Sequence, residues 1–209
     1  MTELAFPDVI PIPLKGSRPY IHSSDLWNEL ARTMSVYLGD EGTLKVNIRA
    51  LSNASVTVVP LTQKADHVVI GDVTHSASKT HLLLVKANQM ATGHLPDNET
   101  ALADQISLID GLACVPHTIT ASPVEGLVAG YKFLLTDMFP DVSKWLALCV
   151  DLPLPLQGPT TGTLIVRHKS DIGGKTFFAN IFDETDTKLG QLTFMGLDQK
   201  TYSDMEANL

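Results

Sequence analysis

The segment Gly162–Leu197, GTLIVRHKSDIGGKTFFANIFDETDTKLGQLTFMGL, decides the fold class that we predict for this chain. It contains three runs in which apolar and polar residues alternate, as expected for half-buried strands. The turns between these runs are predicted at Asp171–Gly174 and Asp183–Asp186, because Gly, Asp and Thr favour tight reversals of the backbone. The segment therefore predicts a three-stranded antiparallel meander.

A second segment, Ala54–Asn88, has a similar arrangement of β-rich runs and turns. Its turns are predicted at Thr62–Ala65 and Ser76–Lys79, and they separate three runs rich in Val, Ile and Leu. The sequence thus predicts a three-stranded sheet in each half of the chain.

Each predicted sheet follows a helical pattern. The first helix is expected from Ser23 or Ser24 to Tyr37 or Leu38, with Gly39 ending it. The second is expected from Thr100 to Val115, with a stop at Pro116. This helix-plus-sheet unit, given twice, predicts an internal duplication with a first repeat at residues 1–90 and a second at 91–209.

The rest of the chain is predicted from shorter patterns. Three further strands are expected at Thr43–Ala50, Leu127–Leu135 and Trp145–Asp151. Residues 1–16 are rich in proline and predict an extended lead-in, and the polar tail after Leu197 predicts a frayed end.

Composition excludes several classes of function. A net charge of −8 argues against a nucleic-acid partner, whose phosphates require a basic surface. No apolar run is long enough to span a bilayer, and the first residues lack the pattern of a signal peptide, so we expect a cytoplasmic protein with no membrane partner. Cys114 and Cys149 lack the spacing of metal ligands, and we expect no metal or cofactor.

Two short motifs carry a resemblance to a known fold. Gly93–Asn98, GHLPDN, looks like the Gly-His-Phe-Pro-Gly-Asn stretch of hotdog hydroxyacyl-thioester dehydratases. Ser107–Ala113, SLIDGLA, is similar to a stretch of polyketide synthase dehydratase domains whose aspartate is catalytic. With the duplicated helix and sheet, these motifs resemble the double hotdog fold. The resemblance implies an α+β fold class in which two central helices are wrapped by antiparallel β-sheet.

The resemblance also implies an activity. The dehydratases that carry these motifs act on acyl thioesters in polyketide or fatty acid biosynthesis. The resemblance therefore implies a tailoring enzyme of dehydratase or isomerase type, that is, a dehydratase-like lyase or an isomerase. A base and an acid across an apolar tunnel would perform this chemistry, and a histidine paired with a buried carboxylate suits it. The substrate would be bound to acyl carrier protein or CoA.

Three candidate catalytic residues follow, each with a structural alternative. Asp110 is expected on the margin of the apolar stripe of the second helix, where a carboxylate needs a partner, but it could simply bond to local groups. His22 precedes the first helix and His94 lies in the first motif, and both could be loop histidines. Asp25 is most simply a charge in the first helical turn, although thioesterase-type hotdogs place a carboxylate near such a helix.

Departures from the family pattern motivate an alternative function. The His-x-x-x-Gly-x-x-x-x-Pro motif of polyketide dehydratases is absent, and Cys114 stands four residues after Asp110, where the family has Gln or His. The chain could therefore be a non-catalytic module that binds an acyl chain or a protein partner. Either a monomer or a homodimer is expected, because two repeats in one chain can satisfy the pairing that single hotdogs obtain by dimerising.

Overall fold

The computed structural model describes residues 9–91, 93–116, 119, 121–156 and 162–207. Residues 1–8 of the predicted lead-in lie outside the described residues. The helices are α1 (Ser23–Leu38), α2 (Glu99–Ala103), α3 (Pro123–Met138) and α4 (Gln199–Glu206). The strands are β1 (Leu14–Lys15), β2 (Thr43–Ile48), β3 (Ala54–Pro60), β4 (Val69–His75), β5 (Thr80–Met90), β6 (His94–Leu95), β7 (Ser107–Ile109), β8 (Leu112–Pro116), β9 (Lys144–Pro153), β10 (Thr163–Ile172), β11 (Thr176–Phe182) and β12 (Lys188–Leu197).

One large antiparallel sheet joins both halves of the chain. Its described strands follow the order β3-β5-β4-β2-β9-β12-β11-β10-β8-β7. The halves meet at the antiparallel pair β2 and β9, where Leu44 lies opposite Leu152 and Val46 opposite Val150. All four of these side chains are fully buried, so the seam between the halves lies in the hydrophobic core.

Two helices of 16 residues each, α1 and α3, pack against each other and against the sheet. The apolar side chains of both helices join one core with the strands of both halves. This arrangement confirms the predicted α+β fold class, a double hotdog with two central helices wrapped by antiparallel sheet. The first helix has the predicted bounds, because its apolar stripe from Leu26 to Met34 faces this core.

The two predicted three-stranded sheets differ in their pairing. In the second half, β10, β11 and β12 pair consecutively, which confirms the predicted meander. In the first half, β4 and β5 form the predicted hairpin, but β3 pairs with β5 rather than with β4. The expected meander is therefore wrong there. After β3, a 3₁₀ turn at Leu61–Asp66 returns the chain so that β4 lies beside β2.

The predicted helix from Thr100 to Val115 is wrong. Only the short α2 is helical, and the hairpin of β7 and β8 follows it. The turn of this hairpin is Asp110-Gly111, with φ of 51° and 74°, and it joins the paired residues Ile109 and Leu112. Asp-Gly between apolar runs is a strong hairpin signal, because a two-residue turn of this type needs positive φ at both positions. That signal outweighs the helical spacing of the apolar residues.

The predicted strand from Leu127 to Leu135 is also wrong, because it belongs to α3. Ser122 caps this helix by accepting a hydrogen bond from the Glu125 backbone N–H, and Pro123 occupies its first turn. Gly126 and Gly130 face β8, and a Cβ on Gly126 would lie only 2.8 Å from Val115 Cγ1. The apolar run is continuous because this helix is buried nearly all round, and such a run cannot be told from a buried strand by its period.

The chain end differs from the frayed tail that the sequence predicts. Residues Gln199–Glu206 form α4, which is capped by Asp198 and contributes the buried Tyr202 to a small apolar cluster. Within the described residues, no helix is long and apolar enough to cross a membrane.

Candidate functional site

The N-terminal ends of α1 and α3 carry acidic residues at equivalent positions. Asp25 is the third residue of α1, and Glu125 is the third residue of α3. Both side chains are buried, with 9% and 11% of their surface exposed. The Asn28 amide donates a hydrogen bond of 2.9 Å to Ser122 Oγ and so ties the start of α3 to the first turns of α1. The fold therefore brings one carboxylate from each half to a common place.

Lys15 lies between these two carboxylates. Its Nζ atom donates to Glu125 Oε1 and lies 4.0 Å from Asp25 Oδ1. Lys15 reaches this position because β1 pairs with β6, which places it opposite Leu95 in the connection between the halves. Only 4% of the residue is exposed. One buried lysine therefore interacts with two buried acidic side chains.

The pKa of Asp25 reflects its burial and its charged neighbours. Burial raises the pKa of Asp25 to about 6, and the neighbouring Glu125 adds to the rise, while Lys15 opposes it. Within the described residues, Asp25 Oδ2 is buried without a hydrogen-bond partner. A carboxyl group with a pKa near neutrality can give or take a proton under ordinary conditions.

His22 is the N-cap residue of α1 and lies three residues before Asp25, a member of this buried cluster of charges. Burial and the nearby Arg18 lower the pKa of His22 to about 3, so its imidazole is neutral at pH 7. Its Nδ1 atom shares a hydrogen bond of 2.8 Å with Ser24 Oγ. The ring makes no capping bond to the helix, in contrast to Ser122 at the start of α3. The neutral ring has a free nitrogen lone pair, but the lowered pKa makes it a weaker base than an exposed imidazole.

A second charged cluster lies beside His22. Arg18 Nη2 donates to Glu99 Oε2 at 2.5 Å, and Lys132 donates to Glu99 Oε1. Burial would raise the pKa of Glu99, but the hydrogen bond and charge of Lys132 and the charge of Arg18 hold it below its usual range. These contacts tie α2 to the side of α3 and leave two cations next to the imidazole.

Two cavities share His22 as part of their walls. The larger has a volume of about 470 Å³, which is within the range of small-molecule sites, and mostly apolar side chains line it. The smaller, of about 30 Å³, exposes mostly apolar surface, and charged side chains such as Lys15 and Glu125 also belong to its lining. Arg18, Glu99 and Lys132 belong to both walls. A pocket for an apolar ligand thus lies next to a small space that charged groups line in part and that is large enough for a water molecule.

The three predicted site residues lie in different surroundings. His22 lines both cavities beside the buried charges. His94 is exposed on β6, and its Nδ1 hydrogen-bonds the Gly16 carbonyl at 2.9 Å. Asp110 is exposed in the turn between β7 and β8 rather than on a helix. His22 precedes by three residues the buried Asp25, which the sequence analysis interpreted most simply as a charge in the first helical turn. The catalytic roles of His22, His94 and Asp110 stay predictions.

The sequence analysis missed two members of the cluster, Lys15 and Glu125. Ser122-Pro-Val-Glu125 is a capping signature followed by an apolar run, and it would have placed Glu125 in the first turn of a helix. No local signal marks Lys15, because its position depends on the pairing of β1 with β6. Within the described residues, no group of three or more His, Cys, Asp or Glu side chains could hold a metal ion.

Comparisons with known proteins find similar overall structures. A tesB protein of Mycobacterium avium subspecies paratuberculosis has 13% identity and a TM-score of 0.48, over 90% of this chain and 91% of that one. The dehydratase domain of PpsC from Mycobacterium tuberculosis, solved in complex with C12:1-CoA, has 12% identity and a TM-score of 0.41, over 94% and 90%. A protein with a hot dog fold from Alicyclobacillus acidocaldarius has 11% identity and a TM-score of 0.37, over 86% and 88%.

The chain matches no protein-family model, and no curated protein is similar to it in sequence. The similarities to solved structures are too low to assign an activity to the chain.

Proposed function

We propose that this chain is an enzyme that acts on acyl thioesters by acid–base chemistry at the start of α1. The observation that carries the proposal is the neutral His22 in the wall of a 470 Å³ cavity, close in sequence to the buried Asp25. The pKa of His22 is lowered to about 3 and that of Asp25 is raised to about 6. Titratable groups with strongly shifted pKa values cluster at functional sites, which supports a site at the start of α1.

The first turn of α1 supports the proposal. The first amides of a helix lack partners within the helix, and the aligned peptide dipoles make this end positive. His22 offers these amides no side-chain cap, whereas Ser122 caps α3. Ser23 in this turn also lines the larger cavity. The amides of α1 are thus available to polarise a thioester carbonyl, which makes the α-proton more acidic.

The favoured reaction is removal of water from a hydroxyacyl thioester, or movement of a double bond within an enoyl thioester. His22 takes the α-proton, and the electron pair of the broken C–H bond forms the new double bond. In dehydration, the β-hydroxyl group leaves as water with a proton from Asp25. In isomerisation, the double bond between the β- and γ-carbons breaks, and its electron pair takes the proton from His22 at the γ-carbon. The carrier, acyl carrier protein or CoA, stays a prediction.

A second reaction, hydrolysis of the thioester, is favoured by the smaller cavity. Charged side chains such as Lys15 and Glu125 belong to its lining, and its volume of about 30 Å³ exceeds the roughly 10–15 Å³ that a water molecule needs. Attack of this water on the carbonyl would form a C–O bond and break the C–S bond, and the thiolate would leave with the proton of the water. His22 lines this space as well and would carry that proton.

The test is an assay of the wild-type chain on saturated, 3-hydroxy and enoyl CoA thioesters of several lengths. Conjugated enoyl product indicates dehydration, whereas free thiol with carboxylic acid indicates hydrolysis. We expect His22→Gln and Asp25→Asn to lower turnover by roughly 10²–10⁴-fold, the usual contribution of acid–base catalysis. Asp104→Asn, which changes an exposed acid near the end of α2, is the matched control and should keep full turnover.

Two results would contradict the proposal. If both variants melt normally and keep full turnover, the catalytic groups lie elsewhere, and loss of turnover in Asp110→Asn or His94→Asn would place them at those positions. If the wild type binds acyl thioesters but turns none over, the chain is the non-catalytic binding module of the alternative prediction.

A further inference from the structure

The larger cavity runs along α3, because residues on one side of that helix line it. Val128, Lys132 and Thr136 are spaced by four residues, and all three line the cavity together with Phe133. At a rise of 1.5 Å per residue, these positions cover about 12 Å along the helix. The cavity therefore extends from the charged groups near the start of α3 towards the C-terminal end of that helix, where β9 begins.

The far end of the cavity is formed by α4 and its neighbours. Tyr20, Leu146, Leu197 and Tyr202 make a small apolar cluster, separate from the main core, with Met195 and Met205 packed against it. Within it, the hydroxyl groups of Tyr20 and Tyr202 lie 3.2 Å apart. Lys144, the first residue of β9, has its Nζ atom 5.2 Å from the centre of the Tyr202 ring. All of these residues except Leu197 line the cavity.

Charged groups are concentrated in one part of the cavity. Four residues line the wall that it shares with the smaller cavity: Arg18, His22, Glu99 and Lys132. Beside α4, Lys144 lies against the ring of Tyr202, and the other side chains named above are apolar or aromatic. An acyl thioester has the same polarity, with a polar head and an apolar chain. The head would lie near His22, where the polar groups are, because burying it among apolar side chains would leave its polar atoms without partners.

We propose that α4 forms the wall that the far end of the acyl chain contacts, so that Tyr202 and Met205 set the longest chain that the cavity accepts. This inference rests on the proposed function for the position of the thioester. It goes beyond that function by naming the substrate class as linear acyl chains that run along α3, and by assigning chain-length selection to the last helix.

Chain-length selection follows from the energetics of burying methylene groups. Each methylene that enters an apolar cavity contributes about 0.8 kcal/mol, which corresponds to about fourfold in affinity. The gain stops when the chain meets a side chain that cannot move aside, because overpacking is unfavourable. Tyr202 is only 8% exposed and Asp198 fixes the start of α4, so this wall is held in place.

The experiment measures binding rather than turnover. S-alkyl-CoA thioethers of increasing length are titrated into the full chain and binding is measured by calorimetry. These compounds resemble the substrate but cannot react, because they lack the thioester carbonyl group. For the wild type we expect affinity to rise about fourfold per methylene up to a limiting length. Tyr202→Ala and Met205→Ala should move the limit to longer chains, by roughly two or three methylenes for the methionine, whose lost atoms leave that much space.

Tyr202→Phe is the matched control, because it keeps the ring and removes the hydroxyl group. We expect its limiting length to equal that of the wild type. Thermal melting checks that each variant folds, and Met205→Ala, which changes a half-buried side chain, provides a second variant if Tyr202→Ala does not fold.

The inference would be overturned if folded Tyr202→Ala and Met205→Ala both keep the limit of the wild type, or if affinity does not depend on chain length. A shifted limit in a protein without turnover would support the inference and contradict the proposed function. Absence of any binding by the wild type would overturn both.

Discussion

At the scale of single residues, the buried acids and Lys15 dominate the electrostatics of the molecule. Lys15 donates to Glu125 and lies 4.0 Å from Asp25 Oδ1, so the closer pair is the one that spans the two halves. Removing charges from water costs several kcal/mol per ion, and a single cation offsets this only in part for two carboxylates. The ionised form of Asp25 is therefore destabilised by burial, and the raised pKa of Asp25 is the result.

The first prediction at this scale concerns the pH dependence of stability. The pKa of Asp25 is about 6 in the folded chain against 3.8 for a free side chain, so the folded state holds this proton more tightly. Stability from this group is therefore present at low pH and is lost as pH rises from about 4 through 6. We expect Asp25→Asn to be more stable than the wild type above pH 6, by up to about 3 kcal/mol, and equally stable near pH 3.

Urea unfolding of both proteins between pH 3 and 8 measures this difference. Asp104→Asn, at an exposed position, should show the same pH dependence as the wild type. A lower stability of Asp25→Asn at pH 7 would mean that attraction to Lys15 exceeds the cost of burial, which would contradict the prediction.

At the scale of secondary structure elements, the hairpin of β7 and β8 shows how a local backbone requirement decides between two structures. Apolar residues between Leu102 and Ala113 have helical spacing, yet the chain forms a short helix, a turn and two strands. The reason is the pair Asp110-Gly111, whose positive φ angles an α-helix does not allow. In α3, by contrast, residues predicted as a strand form a helix. Gly126 and Gly130 allow β8 to approach this helix closely.

A prediction about the hairpin turn follows. Gly111 has φ of 74° and no atom within 4 Å of the position that a Cβ would take, so a substitution strains the backbone without a steric clash. We expect Gly111→Ala to lower stability by about 1–2 kcal/mol, the cost of a left-handed conformation for an L-residue. Gly111→Asn should lose less, because Asn adopts this conformation more readily.

Thermal or urea unfolding of the two variants measures this loss. If Gly111→Ala is as stable as the wild type, Gly111 does not have a positive φ in the turn between β7 and β8.

At the scale of the whole molecule, contacts across the two halves form both the core and the candidate site. The β2–β9 ladder, the pairing of β1 with β6, and the bond from Asn28 to Ser122 all join residues from the two sides of the predicted boundary. Lys15 and Asp25 belong to the first half, and Glu125 belongs to the second.

We therefore expect residues 1–90 and 91–209 not to fold when each is produced alone. Each half would expose the buried faces of its central helix and of its central strand, β2 or β9, and the first would keep Lys15 without Glu125. Co-expression should restore a cooperative thermal transition, because the same contacts can form between separate chains. Cooperative melting of either half alone, measured by circular dichroism, would contradict this prediction.

The sequence by itself determined the elements whose local patterns agree with their burial. The first helix, the strands of the second meander, and the α+β class with two sheet-forming halves follow from periodicity and turn residues. His22 at the start of α1 follows from the same reasoning. These features depend on interactions between residues that are near one another in the chain, which is why a single sequence reveals them.

Only the tertiary structure decided the strand order of the first half, the true second helix and the composition of the site. β3 pairs with β5 because of where the chain crosses the sheet, and no local pattern encodes that crossing. Glu125 and Lys15 are separated by 110 residues and meet because β1 pairs with β6 and α3 packs beside α1. The altered pKa of Asp25 results from this burial and from these distant neighbours, so it exists only in the folded chain.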